Sequence, residues 1–320
     1  MSDPNPVVPP DNSAPKTGNA DENNQGGPNN EAAPPPNEAA PPPINVAPAV
    51  VVAVAAAPAP ALIKKILSGK STAILLVLFT VLMVPLAMYL PGDWSYIVVV
   101  FLMILFMIVL GIRISSRPAG ILINERNLMS LTRFQLVLWT VIILSAYLVA
   151  ALIRIRNRNL VDALNISLDK NLWGLLGIST ASLVGAPILQ SSKKTQDPKV
   201  EEVTKTANKL AENPLTIAVN SQGVLYANPS IEDAALSDMF EGDEVGNTAY
   251  VDVAKVQMFF FTVVAALSYA AQLFDWIKLG NPDSLGQFPL VSSSLVAILG
   301  ISHAGFLASK STTHTPTNGT

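Results

Sequence analysis

The segment Arg133-Phe-Gln-Leu-Val-Leu-Trp-Thr140 returns 122 residues later as Lys255-Val-Gln-Met-Phe-Phe-Phe-Thr262. Matches between apolar residues carry little weight, but a basic residue, a Gln and a Thr keep their places. Tyr147 and Tyr269 share the same offset. Each copy lies in an apolar stretch of membrane length, so the pattern predicts a duplicated transmembrane unit.

A second pair of segments supports the duplication. Leu176-Gly-Ile-Ser179 returns as Leu299-Gly-Ile-Ser302, at an offset of 123. Each unit is therefore expected to be a hairpin of two spans. Because both hairpins run in the same direction, their pseudo-axis should lie along the membrane normal.

The composition is that of a membrane protein. Charged residues make up 13% of the 320 residues, where a soluble domain carries about 25%, and the mean hydropathy is +0.41. The net charge of -3, without a basic stripe, argues against nucleic-acid binding. Because there is no cysteine, disulfides, thiolate metal sites and Cys nucleophiles are excluded.

Six segments are long enough, or nearly so, to cross the roughly 30 Å hydrocarbon core. They are 72–90, 96–112, 135–153, 172–189, 257–274 and 288–307, and none contains a charged residue. We therefore expect an all-α integral membrane protein with about six transmembrane helices. The predicted regions are a disordered Pro/Ala-rich tail (1–62), a first hairpin (63–115), repeat 1 (116–190), a cytoplasmic insertion (191–251), repeat 2 (252–310) and a disordered C-terminal tail (311–320).

Orientation follows from the basic residues and the tryptophans. Most Lys and Arg side chains lie before the first span, in the second loop and after the fourth span, whereas Trp94, Trp173 and Trp276 lie at the opposite ends of the spans. The positive-inside rule and the aromatic belt together predict that both termini lie in the cytoplasm. The membrane is then expected to be the cell (inner) membrane. The group Arg154, Arg156, Arg158 and Lys278 disagrees with this orientation.

The insertion offers weaker patterns. Residues 198–212 have helical composition, while 215–219 and 224–227 flank a turn-forming run and predict a small β-hairpin. Residues 120–124 suggest another short strand. The acidic run 241–247 lacks the ligand spacing of a calcium loop, so we interpret it as a turn leading into the fifth span, whose N-cap is Asp252.

Small residues recur every four positions in the fourth and sixth spans. Such a strip lets helix backbones approach closely, so we interpret it as a packing surface rather than the lining of a narrow path. The candidate packing residues are Gly177, Ala181, Gly185, Gly300, Ala304 and Ala308.

A few polar residues are expected inside or at the edges of the spans. Thr140 with Tyr147, and Thr262 with Tyr269, are seven residues apart and share a helix face, so we predict that they hydrogen-bond between helices rather than bind a ligand. Gln135 and Gln257 lie near the helix starts, five residues after the predicted N-caps Ser130 and Asp252.

His303 is the one imidazole or charged-type side chain deep in a predicted span. Such residues are functional candidates, so a proton relay is one interpretation and a neutral packed histidine is the other. We favour the packed histidine because the equivalent residue of the first repeat is Thr180.

Several segments together resemble a group of uncharacterised prokaryotic multi-pass membrane proteins, over about residues 110–310. They are Arg117-Pro-Ala-Gly-Ile-Leu-Ile-Asn-Glu-Arg-Asn127, Ser130-Leu-Thr-Arg-Phe-Gln-Leu-Val-Leu-Trp-Thr140, Ile178-Ser-Thr-Ala-Ser-Leu-Val-Gly185, Gly242-Asp-Glu-Val-Gly-Asn247 and Val256-Gln-Met-Phe-Phe-Phe-Thr262. The resemblance implies the architecture and carries no activity with it.

The sequence contains no nucleophile-elbow, phosphate-loop, dinucleotide or zinc-protease motif. We therefore expect no enzyme activity and no cofactor. The leading hypothesis is a membrane anchor or scaffold that presents its cytoplasmic loops and tail, and the alternative is a transporter or channel subunit. The expected partners are the lipid bilayer and either a second copy or a cytoplasmic protein.

Overall fold

The computed structural model describes residues 69–157 and 162–318. Within these ranges the protein is all-α, and six helices are long and apolar enough to cross a membrane. The predicted six-span architecture is confirmed. The spans are α1 (Gly69–Tyr89), α2 (Gly92–Ser115), α3 (Leu131–Arg156), α4 (Lys170–Gln190), α7 (Val253–Leu279) and α8 (Ser293–Ser311), and two shorter helices are α5 (Val200–Leu210) and α6 (Pro214–Asn220). The predicted tail 1–62 and Arg158 lie outside the described residues.

The starts of α3 and α7 follow from the predicted N-caps. The Ser130 hydroxyl accepts a hydrogen bond from the Arg133 amide, and the Asp252 carboxylate accepts from the Ala254 and Lys255 amides. Each cap satisfies amide groups that have no partner within the helix. Both predicted N-caps are therefore confirmed.

The sixth span begins later than predicted, at Ser293 instead of residue 288. Phe288 lies in the preceding loop, where its ring is buried between Trp276 and Tyr147. Its amide donates to the Ser167 carbonyl at 3.0 Å. This loop contact fixes Phe288 outside the helix.

Helix α3 is the centre of the bundle. In its span 56% of the residues are buried, against 17–33% in the other five spans. It contacts α1, α2, α4 and α7, and α4 packs along α8. The hairpins α3–α4 and α7–α8 thus face each other with like helices paired.

The ends of the two hairpins distant from the insertion are joined by hydrogen bonds. Besides the Ser167 contact, Asp169 caps α4 and also accepts from the Val291 amide at 3.4 Å. The Asn171 side chain donates to the Val291 carbonyl at 2.7 Å. These bonds fix the relative position of α4 and α8.

Two of the arginines that disagreed with the orientation lie at this same end. Arg154 is buried and donates to the Asp162 carbonyl at 2.8 Å, and Arg156 donates to the Met88 carbonyl at 2.7 Å. Their charges are therefore held by protein carbonyls at the ends of the spans.

The insertion (191–251) folds around a small core to which Val203, Ala207, Ile217 and Val245 contribute. The helix predicted over 198–212 is confirmed by α5. The predicted hairpin is wrong, since 214–220 forms α6. The sequence Asn213-Pro214 explains the difference, because the Asn213 side chain caps the helix and Pro214 occupies its first turn.

Neither this segment nor 120–124 forms a strand. Residues Gly120–Leu122 make one 3₁₀ turn, and only Ile123 forms an isolated bridge, with Met129. Across the described ranges β-structure is limited to such single bridges.

The C-terminal segment is ordered where it is described, so the prediction of a disordered tail is wrong for 312–318. Thr315 is buried, and its hydroxyl accepts from the Gly246 amide at 3.0 Å. The Lys199 amide donates to the Pro316 carbonyl at 3.0 Å. The segment therefore packs on the insertion and connects it to the end of α8.

Candidate functional site: a buried charge cluster between the insertion and the spans

The turns that precede α3 and α7 have the same backbone pattern. Each closes with two hydrogen bonds, although the second turn is four residues longer. The bonds are Asn124 N to Leu128 O and Ser130 N to Leu122 O in the first turn, and Gly242 N to Tyr250 O and Asp252 N to Phe240 O in the second. The two spans therefore start from similar structures, while common ancestry of the hairpins stays a prediction.

Each turn also holds a cation of the following helix. Arg133 lies 3.6 Å from the Glu125 carboxylate, and Lys255 lies 3.1 Å from that of Asp243. Both cations also donate to the backbone carbonyl two residues before the acid. The environments differ, because the first pair is 39% and 57% exposed and the second 7% and 13%. Only the second pair is removed from water.

Asp243 is the centre of the buried cluster. Its carboxylate accepts from Lys255, from Arg126 at 3.2 Å, from Gln190 at 3.1 Å and from Lys310. These residues come from the start of α7, the loop before α3, the end of α4 and the end of α8. One side chain of the insertion thus binds four separate parts of the membrane domain.

The ionisation of Asp243 follows from this environment. Burial by itself would raise the pKa of the carboxyl, but Lys255, Lys310 and Arg126 overcome it and hold the pKa well below its usual value. Asp243 is therefore a carboxylate at neutral pH. The pKa of Asp238 shifts in the other direction, since burial raises it despite hydrogen bonds from the Met129 and Ala235 amides.

Glu244, the next residue, makes a second buried pair. Its carboxylate lies 2.6 Å from the Lys193 ammonium, and the two side chains are only 2% and 3% exposed. It also accepts from the His314 and Thr315 amides at 2.7 and 2.8 Å. Glu244 therefore joins the turn that follows α4 to the C-terminal segment.

The sequence interpretation missed this role of 241–247. The run does form a turn that leads into α7, whose N-cap is Asp252. The interpretation as a turn, however, predicted no ion pairs for Asp243 and Glu244. One signal was present, because each repeated cation, Arg133 or Lys255, follows an acid in the preceding loop. The differing loop lengths hid it.

A cavity of about 560 Å³ lies beside the cluster, between the ends of α3, α4 and α8. One side of its wall is charged and includes Arg133, Lys194 and Asp243, and the other is apolar and includes Val137 and Phe306. Thr140, a predicted polar candidate, lines this cavity.

The predicted polar residues of the spans differ in burial and in hydrogen-bond partners. Gln135 is fully buried and donates to the Thr262 hydroxyl at 2.7 Å, which joins α3 to α7. Gln257, its equivalent, is exposed. Tyr147 and Tyr269 donate to loop carbonyls, those of Leu164 and Pro289, instead of bonding between the hairpins. The repeated positions are thus used differently in the two hairpins.

His303 has one side-chain hydrogen bond, with its Nδ1 atom 2.6 Å from the Ser182 hydroxyl on α4. Both residues are buried. Thr180, at the equivalent position to His303, is exposed and bonds to a carbonyl of its own helix. The contact joins α4 to α8 and resembles the packed histidine of the sequence interpretation more than a relay, which would need a further proton acceptor.

Contrary to the prediction, most of the small-residue strip does not face the neighbouring helix. A Cβ atom added to Gly177 would meet nothing within 4 Å, and Ala181, Ala304 and Ala308 are exposed. Gly185 and Gly300 are half-buried, and an added Cβ would make ordinary contacts there with Leu307 and Ile178. Within one chain, then, the strip is not the main contact between α4 and α8. The facing side belongs instead to Ser179, Ser182, Ser302 and His303.

Comparisons of this chain with protein-family models, with curated proteins and with solved structures find no match. The architecture of the chain is that of a multi-pass integral membrane protein.

Proposed function

We propose that this protein is a non-enzymatic membrane anchor or scaffold that presents a fixed cytoplasmic insertion to a partner. The observation that carries the proposal is the buried charge cluster. Asp243 binds the end of α4, the start of α7, the end of α8 and the loop before α3 through side chains removed from water. Glu244 pairs with Lys193 in the turn that follows α4. Buried ion pairs add little net stability, but breaking one is costly. Such an arrangement fixes the position of the insertion on the spans.

The interior of the spans supports a scaffold over a transporter. A transport site near the bilayer midplane needs converging polar groups or broken helices. Three hydrogen bonds link side chains of different spans in the described part of the chain, namely Gln135 to Thr262, Ser182 to His303 and Ser145 to Met103, and they use these groups for contacts between helices.

The insertion also has a surface suited to a partner. Leu215 and Val219, four residues apart on one face of α6, are 64% and 78% exposed. Apolar side chains this exposed outside the spans are typical of interaction sites when they cluster. We place this face in the cytoplasm on the basis of the Lys/Arg distribution.

The test is photo-crosslinking in native membranes, with the photoreactive residue placed at Leu215 or Val219 and, as a control, at Leu290, which is 68% exposed at the opposite end of the spans. We expect one protein adduct from both α6 positions and none from Leu290, and loss of the adduct in a Leu215→Ser, Val219→Ser chain that still folds. Solute uptake by proteoliposomes of the purified chain, without any α6 adduct, would favour the transporter.

A further inference from the structure

The cavity beside the charge cluster has the size and the lining of a ligand site, and the scaffold proposal gives it no role. Its volume of about 560 Å³ lies within the 300–1,000 Å³ typical of small-molecule sites. It combines a charged end at the membrane boundary with an apolar end inside the spans.

The charged end has a positive surplus. Five basic and three acidic side chains line it: Arg126, Arg133, Lys194, Lys255 and Lys310 against Glu125, Asp238 and Asp243. Arg126, Lys255 and Lys310 are directed to Asp243. Arg133 and Lys194 are the two lining cations that are not directed to Asp243.

Both of these cations have bonding capacity left. Arg133 meets Glu125 only at 3.6 Å and in an exposed setting. Lys194 is exposed and forms no ion pair within the described part of the chain. An anionic group in the cavity that reached both side chains would gain two charged donors without displacing a buried ion pair.

The apolar end continues along α3. Arg133, Val137 and Thr140 all line the cavity, and seven residues of helix span about 10 Å. Leu183 of α4 and Phe306 of α8 form the opposite wall. This depth accommodates several carbons of an alkyl chain below the anionic group.

The rim of the cavity opens both at the membrane boundary and towards the bilayer. Glu125 and Lys194 are exposed at the boundary, and Pro187 is exposed on the membrane-spanning surface of α4. A molecule with an ionic head and an apolar tail can therefore occupy the cavity from the bilayer.

We propose that this cavity binds one anionic glycerophospholipid from the leaflet next to the insertion. Arg133 and Lys194 hold its phosphate, and an acyl chain enters between α3 and α4 against Phe306. The inference is independent of the scaffold role, since a transporter could carry the same lipid.

The test uses the purified full-length chain in neutral detergent, with lipid binding measured by native mass spectrometry. The probes are phosphatidylglycerol, phosphatidylcholine and inorganic phosphate. The cavity variant is Arg133→Gln with Lys194→Gln. The matched control is Lys70→Gln with Arg113→Gln, which removes two exposed cations at the same membrane boundary outside the cavity.

We expect phosphatidylglycerol to bind in a one-to-one ratio and more tightly than phosphatidylcholine. The cavity variant should lose about 30-fold in affinity, from about fivefold per cation, and the control less than threefold. Equal binding of the two lipids, or equal losses in the two variants, would overturn the proposal.

A second variant tests the apolar end. Val137→Trp fills the space below Arg133, so we expect it to abolish binding of the lipid. Unchanged phosphatidylglycerol binding by this variant, with wild-type thermal stability, would show that no chain enters between the helices. Displacement of bound phosphatidylglycerol by an equal concentration of inorganic phosphate would assign the site to a free anion and overturn the proposal of a lipid.

Discussion

Breaking the Lys193–Glu244 pair should destabilise the folded insertion. The two groups are 2.6 Å apart and 3% and 2% exposed, so either residue alone would be a buried charge without its partner. Removing one member of such a pair costs about 3–5 kcal/mol. With 2–4 °C per kcal/mol for a domain of this size, the melting temperature should fall by roughly 6–20 °C.

The two single variants should differ in a definite order. In Lys193→Met, Glu244 keeps the His314 and Thr315 amides as donors. In Glu244→Gln, the Lys193 ammonium keeps only the Thr312 carbonyl as a charge-stabilising acceptor. We therefore expect Glu244→Gln to cost more, and the double variant to cost less than the sum of the two.

The assay is unfolding of the detergent-solubilised chain by added SDS, followed by circular dichroism. The control is the pair of Lys205 and Glu202, whose side chains are 57% and 20% exposed, and Glu202→Gln should cost less than about 1 kcal/mol. If Glu244→Gln costs no more than Glu202→Gln, the reasoning is refuted, because the buried pair would then have to be hydrated.

Three further predictions address the turn, the packing surface and pH. Gly223→Ala should destabilise the chain by at least about 1–2 kcal/mol, because φ is +60° and the added Cβ would lie 2.3 Å from the Lys193 carbonyl oxygen; SDS unfolding measures this. Gly177→Leu should leave the melting temperature within a few degrees of wild type while Ser182→Leu lowers it clearly, since only Ser182 faces a neighbouring helix; equal losses would contradict the placement of the strip. Because the pKa of Asp243 is lowered on folding, its contribution is complete above pH 3.8 and is lost as the pH falls further, and Asp243→Asn should remove that acid-dependent part of the unfolding free energy measured against pH.

The membrane spans could be predicted because length and apolar composition suffice for that purpose. The N-caps Ser130 and Asp252 were equally local signals. Helix α6 was missed because the strand-like residues 215–219 outweighed the start signal at Asn213-Pro214.

The partners of Asp243 in the charge cluster could not be predicted from the sequence, for a different reason. Asp243 meets Arg126 and Lys310, which lie 117 and 67 residues away, and their proximity depends on how the helices pack. A single sequence also cannot show which of two similar pairs is buried. Arg133 with Glu125 and Lys255 with Asp243 have the same chemistry, and only the packing of the insertion separates them.

We propose that the insertion lies in the cytoplasm, on the side of the membrane opposite the α7–α8 loop. The chain contains no cysteine, so single cysteines can report on each side. Asn208→Cys in α5 and Asp283→Cys in the α7–α8 loop replace exposed polar residues, and an impermeant maleimide is added to intact cells. We predict labelling of Asp283→Cys in intact cells and of Asn208→Cys only after permeabilisation. Labelling of Asn208→Cys in intact cells would contradict the claim.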